Sequence, residues 1–159
     1  MKYNIRIDEL RKYPQYIAVV TEWLYKEWGN HNKRYWESWV QYSQQASDIP
    51  KTYILFLNDS VVGTYSLWRC DLQSRQDLFP WFGGLYVDIK YRGQFYNGKK
   101  LGEILQRHAV SELEKLHYQE VYLFTSHATD YYNRNGWDNL CQAPDENDQM
   151  VNICCKTIR

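Results

Sequence analysis

Residues 85–102 read Leu-Tyr-Val-Asp-Ile-Lys-Tyr-Arg-Gly-Gln-Phe-Tyr-Asn-Gly-Lys-Lys-Leu-Gly. An apolar strand runs into a loop of glycines and cations, and a helical pattern follows at once. No other stretch limits the fold so strongly, because the chain must turn from strand to long helix inside that loop. The loop has the composition of an anion cradle. Glycine lets backbone N–H groups approach, Arg92, Lys99 and Lys100 add charge, and the helix start adds its positive dipole end. A phosphate site between a strand and a long helix is therefore the first expectation.

That site has to be local. Nineteen Lys and Arg balance nineteen Asp and Glu, so the chain has no net charge. It lacks the global basic field that holds a nucleic-acid backbone, and nucleic acid is excluded as a partner. No apolar run approaches the roughly 18 residues of a membrane span, and the N-terminal residues lack a signal-peptide core. The expectation is a single domain over residues 1–159, soluble and cytoplasmic, large enough to bury a sizeable core. Cys70, Cys141, Cys154 and Cys155 form no C-x-x-C pair, so free thiols in a reducing compartment are expected, with no metal site. Seven Trp and fifteen Tyr are spread along the chain, which indicates an aromatic core and an apolar cleft.

Alternation predicts a strand over Tyr3–Ile7. Pro14 opens a helix, with Ile17, Val20, Leu24 and Trp28 as its buried stripe and Gly29-Asn30 as its stop. A second aromatic helix carries Trp36, Trp39, Val40 and Ser43 on one face. Strands over 53–57 and 62–70 join at Asn58-Asp59-Ser60, an antiparallel hairpin. Residues 71–80 read as a loop and 81–87 as a strand. The pair Gly83-Gly84 within that strand marks a bulge or a close approach to its backbone. A long helix over about 100–116 buries Leu101, Leu105, Ala109, Leu113 and Leu116. A strand over 121–125, a helical turn over 130–135 and terminal strands over 137–142 and 150–156 complete the chain. This order gives an α+β (mixed α/β) fold, a mostly antiparallel mixed sheet flanked by helices. The long helix between two strands predicts one parallel pair.

Gly93 to Lys100 nearly spells a nucleotide P-loop, but Lys100 stands where Ser or Thr must ligate the metal, and no later strand ends in an Asp. Residues 87–102 resemble instead the GNAT superfamily of N-acetyltransferases. In that family a strand ends in Val, and a loop of the form Arg-Gly-x-Gly-x-Gly opens the helix that holds the pyrophosphate of coenzyme A. Val87, Tyr91-Arg92-Gly93 and Lys100-Leu101-Gly102 resemble that motif. A second marker follows, since Tyr131-Tyr132-Asn-Arg-Asn-Gly136-Trp137 resembles the family's (Phe/Tyr)-Tyr-x-x-x-Gly-(Phe/Trp) turn. The Trp28 region, Pro80-Trp81 and the element order extend the resemblance over most of the chain. The loop is longer than the family spacing, with Phe95 and Tyr96 among the added residues. Lys100 stands at the family's middle glycine and Asn97 where Arg or Gln is frequent. Which of Gly98 and Gly102 meets the pyrophosphate stays open.

The resemblance implies acetyl-CoA (coenzyme A) as cofactor, held by Leu85, Tyr86, Val87, Arg92, Gly93, Gly98, Lys99, Lys100, Leu101, Gly102 and Thr125. It implies acetyl transfer to an amino group of a small molecule or peptide by direct attack on the thioester. Tyr132 matches the family tyrosine that gives the leaving thiolate a proton, and a phenol of pKa about 10 is protonated at neutral pH. Tyr131 is the core member of the pair. Trp23, Glu27 and Trp81 fall on the acceptor side, although Trp23 equally suits the core and Glu27 a solvated helix face. A lysine-like ammonium costs roughly 4.6 kcal/mol to deprotonate at pH 7, so a base or desolvation is needed. Glu22, Glu27, Asp71, Asp77 and His127 are candidates, and the sequence does not choose. A non-catalytic acyl-CoA-binding module is the alternative, and exposed aromatics or a swapped terminal strand would support a homodimer.

Overall fold

The computed structural model describes residues 2–29 and 31–158. Its strands are β1 (Ile5–Glu9), β2 (Lys51–Leu57), β3 (Ser60–Trp68), β4 (Trp81–Val87), β5 (Glu120–Thr125), β6 (Asp138–Pro144) and β7 (Met150–Thr157). Its α-helices are α1 (Ile17–Glu27), α2 (Lys33–Tyr42), α3 (Leu101–Lys115) and α4 (Thr129–Arg134). The strands form one sheet in the order β1-β2-β3-β4-β5-β7-β6. The pair flanking the long helix, β4 and β5, is parallel, with Trp81 opposite Tyr122, as the crossover requires. The mixed, mostly antiparallel architecture expected from the element order is the one observed.

The chain divides into two compact units, one of residues up to Ser66 with Gly84–Ala109, the other of Leu67–Gly83 with residues from Val110 on. In the first unit β1 pairs antiparallel with β2 from Ile5–Leu57 to Glu9–Tyr53. The strand expected to begin at Tyr3 begins two residues later because Tyr3 is otherwise engaged. The Asn97 side chain takes both its N–H and its C=O, at 2.9 and 2.8 Å, and its ring stands edge-on to Tyr96. Pro14 starts a 3-10 turn that leads into α1. Val20 and Leu24 of α1, Val40 of α2 and Ile54 and Phe56 of β2 form one buried cluster with Leu10. Trp28 departs from the expected stripe. It is the C-cap residue, its N–H on the Leu24 carbonyl at 2.9 Å, and 38 % of its surface is exposed because the chain has left the helix there. Asn30, expected to help stop this helix, lies outside the described residues.

In the second unit β7 pairs antiparallel with both β5 and β6, with an irregularity between Asn139 and Cys141. Leu72 and Leu78 of the 71–80 segment pack with Trp81, Tyr122, Val151 and Ile153. That segment has little regular structure, yet its apolar residues are core. Among the described residues no helix is long and apolar enough to cross a membrane.

Leu105 of α3 is fully buried, and one of its methyls lies 3.2 Å from where a Cβ on Gly63 would stand. No side chain can refill that volume without moving the strand. Leu105→Ala should therefore destabilise the protein by about 2–5 kcal/mol, read as a lower urea midpoint at unchanged slope.

Candidate functional site

The loop after β4 begins with a side-chain cap, Asp88 accepting from the Lys90 N–H at 3.1 Å. Arg92 then turns back. Its Nε donates to the Val87 carbonyl at 2.6 Å, its guanidinium lies 4.9 Å from the Tyr86 ring centre, and Glu27 stands 3.8 Å away. Tyr86 stacks in turn on Trp23, with ring centres 5.2 Å apart. Trp23 and Glu27 are one helical turn apart, so α1 presents both to β4 and its loop. The structure thus brings together four residues that sequence reading singled out separately, Trp23, Glu27, Tyr86 and Arg92. Glu27 meets an arginine there.

The added loop residues form a miniature hairpin. Tyr96 and Lys99 exchange backbone hydrogen bonds at 2.7 and 3.1 Å around Asn97 and Gly98, both left-handed at φ 51° and 83°. That is the two-residue turn for which Asn-Gly is the strongest sequence signal. Gly98 is thus a hairpin-turn glycine, while Gly102 lies in the first turn of α3. The space beside Gly93 and Gly98 is open, with no atom within 4 Å of a Cβ there. No carboxylate pairs with Lys99 or Lys100 among the described residues, and Lys100 Nζ lies 5.4 Å from the Phe95 ring centre. Two un-neutralised lysines ahead of a helix N-terminus fit an anionic phosphate, whereas Glu103, in the first helical turn, faces Arg107 at 3.8 Å.

Tyr132 lies in the other unit, on α4, and a Schellman motif fixes it. Trp137 N–H bonds the Tyr132 carbonyl at 3.1 Å and Gly136 N–H bonds the Asn133 carbonyl at 3.1 Å. The rings of Tyr132 and Trp137 make the accompanying apolar contact at 6.1 Å, and Trp137 also meets Phe82 of β4. No hydrogen bond reaches the Tyr132 hydroxyl among the described residues, and burial raises its pKa further above neutral. It is a protonated hydroxyl without a hydrogen-bond partner. Thr125, at the end of β5, accepts the Ala128 N–H at 3.0 Å and so shapes the entry to α4.

Trp81 does not face an acceptor. It is fully buried, and its indole N–H donates to the Leu78 carbonyl at 2.8 Å, so the ring is core. The base candidates separate by their partners. Glu22 is paired with Lys33 at 2.8 Å and Asp77 with Arg75 at 2.9 Å, and His127 is exposed beyond β5. Asp71 has no such partner. Its carboxyl packs onto the β4 backbone, Oδ2 lying 2.6 Å from where a Cβ on Gly83 would be, and burial pushes its pKa up to about 7.

No protein-family model and no curated protein matches the chain at the sequence level. Solved structures do match over its whole length. Aminoglycoside 6′-acetyltransferase type Ii superposes with a TM-score of 0.74 at 17 % identity, covering 97 % of each chain. A GNAT-family acetyltransferase from Streptococcus pneumoniae gives 0.66 at 16 % identity over 99 % of this chain and all of that one. The structure of yncA from Salmonella typhimurium with its cofactor acetyl-CoA gives 0.69 at 13 % identity, covering 100 % and 95 %. The fold of this chain is the GNAT acetyltransferase fold.

Gly136 has φ +85°, which an L side chain adopts only with strain, and a Cβ there would meet Lys156 Nζ at 3.1 Å. Gly136→Ala should cost about 1–2 kcal/mol in thermal unfolding, because it loosens the turn that holds Tyr132.

Proposed function

We propose that this protein transfers an acetyl group from acetyl-CoA to an amino group of a small molecule or peptide. The observation that carries the reading is the partnerless, protonated phenol of Tyr132, at the position where the GNAT resemblance expects a proton donor. Acetyl-CoA would supply the acetyl group as a thioester. Lys99, Lys100 and the first turn of α3 would hold its pyrophosphate, with Gly93 leaving the backbone open to it. The β4 residues Leu85, Tyr86 and Val87 would line its pantetheine arm. Of these, Val87 has its carbonyl already committed to Arg92, so backbone contacts fall to Leu85 and Tyr86.

Tyr132 would supply the proton that the departing sulfur needs. A thiol has a pKa of about 8.5, so the demand on this acid is modest. Trp23, stacked on Tyr86, gives the acceptor side an aromatic wall, which suits a cationic amine, and Glu27 stands beside it paired with Arg92. The aminoglycoside acetyltransferase among the structural neighbours supports a small-molecule acceptor. Four free cysteines suit a reducing cytoplasm.

Thermal unfolding with acetyl-CoA, free CoA and Mg-ATP in parallel tests the cofactor. Ligand at 100 times its Kd adds about 2.7 kcal/mol, which should raise the midpoint by roughly 5–10 °C with both CoA species and not with ATP. Tyr132→Phe should keep that shift and lower kcat about tenfold or more. Unchanged turnover would remove Tyr132 from the chemistry, and a CoA shift without turnover on any amine would support a binding module instead.

A further inference from the structure

We propose that Tyr3 and Asn4, ahead of β1, brace the loop that carries Lys99 and Lys100. Asn97 is the positioning residue of this brace, and it holds those two cations ready for the pyrophosphate of coenzyme A. This role rests on the acetyltransferase reading and adds to it what sets the affinity of the cofactor site. Every residue involved belongs to the first compact unit. Asn97 Oδ1 accepts the Tyr3 N–H at 2.9 Å, and Asn97 Nδ2 donates to the Tyr3 carbonyl at 2.8 Å. A side-chain amide carries an acceptor and a donor side by side, as a peptide group does, so Asn97 pairs with Tyr3 as a neighbouring strand would.

The inserted hairpin needs such support. Its pairing is between Tyr96 and Lys99, and a two-stranded hairpin so short is marginal in water without a packed face. At the tip, no described atom lies within 4 Å of where a Cβ on Gly98 would be. Tyr96 supplies the packed face. It is 5 % exposed and meets the Tyr3 ring edge to face, with ring centres 4.9 Å apart. Tyr3 thus holds the hairpin twice, by main chain and by ring. The brace is itself secured at the turn between β2 and β3. Asn4 N–H bonds Asn58 Oδ1 at 3.1 Å, and Asn58 N–H bonds the Asn4 carbonyl at 2.6 Å. Tyr3 and Asn4 are therefore held in succession by two left-handed asparagines, Asn97 and Asn58.

The second arm of the hairpin carries the lysines. Lys99 is the residue paired with Tyr96, and the Lys100 carbonyl accepts the Ile104 N–H at 3.1 Å in the first turn of α3. Phe95, on the first arm, has its ring centre 5.4 Å from Lys100 Nζ. A shift of the tip therefore moves both cations relative to the helix start. Arg92 fixes the loop at its entry, through Nε on the Val87 carbonyl at 2.6 Å, and Asn97 fixes it at the tip. Between these anchors the loop keeps one shape. Its conformational entropy is lost on folding, so cofactor binding does not have to order it.

The turn alone does not call for an amide. Residue 97 is left-handed at φ 51°, where glycine serves as well as asparagine. What asparagine adds is the pair of bonds to Tyr3. Asn97→Gly therefore removes the brace and leaves the turn.

Titration calorimetry with free CoA on the full chain compares wild type with Asn97→Gly, Tyr3→Ala and Tyr3→Phe. Hydrogen–deuterium exchange follows residues 94–100 of each protein without ligand. Asn97→Gly loses two exposed hydrogen bonds and the order they impose, so its Kd for CoA should rise about tenfold. Its Tm without ligand should stay within about 2 °C of wild type, and exchange over 94–100 should quicken. Tyr3→Ala removes the ring beside Tyr96 and should weaken CoA in the same direction. Tyr3→Phe keeps ring and main chain, so its Kd should return to within about twofold of wild type. A background of Lys99→Ala with Lys100→Ala separates positioning from a merely structural role. There Asn97→Gly should change the Kd by less than about twofold, because the groups it positions are gone. An Asn97→Gly Kd within about twofold of wild type, unchanged exchange over 94–100, or the full effect without the lysines would overturn the brace and leave acetyl transfer standing. A wild type that binds neither CoA nor acetyl-CoA would overturn the cofactor reading, and the role of Asn97 with it.

Discussion

The packing against β4 depends on residues 83 and 84 having no side chains. At Gly84 a Cβ would stand 3.3 Å from the Trp39 ring and 3.5 Å from a Leu24 methyl, so α1 and α2 approach to where a side chain would otherwise be. At Gly83 the space is filled by the Asp71 carboxyl. Glycine in a strand interior costs conformational entropy and gives up packing. Here it admits aromatic carbons at one position and a carboxyl at the next. The helices can lie close, and a polar group can reach the strand interior from a segment with no regular structure of its own.

The ionisable groups divide by what surrounds them. Lysine holds Glu22, and arginine holds Asp77, below the ordinary carboxylate pKa. Glu9 shows that burial can be outweighed. Desolvation works to raise it, yet hydrogen bonds from the buried Lys51 and from Arg11 keep it ionised. Asp71 has desolvation and no compensating partner, so it moves the other way. The Tyr132 phenol is raised by burial too, with Tyr131 and Cys154 adding to it.

The loop after β4 has a different logic. Its extra residues are folded into a hairpin pinned by Tyr96 and Asn97 to the start of the chain, so the insertion is ordered by contacts of its own. Arg92 is drawn back to Val87, Tyr86 and Glu27, which spends its charge on fixing the loop against α1. Lys99 and Lys100 have no carboxylate partner among the described residues.

Much of this was legible in the chain. Hydrophobic periodicity located every strand and α-helix to within a few residues, since period 2 and period 3.6 are properties of local sequence. The order of elements gave the parallel pair, and Asn97-Gly98 carried its turn in two letters. The Tyr-x-x-x-Gly-Trp spacing marked a turn that the structure resolves as a Schellman motif, because its bonds join residues at most five apart. What the sequence left open depends on neighbours distant along the chain. Tyr3 leaves β1 for Asn97, Trp81 is core because Leu78 takes its N–H, and Arg92 is turned by Glu27. Five acidic or histidine candidates looked alike as letters. Only the tertiary structure gave them different surroundings, because burial and charges a few ångströms away exist only after folding.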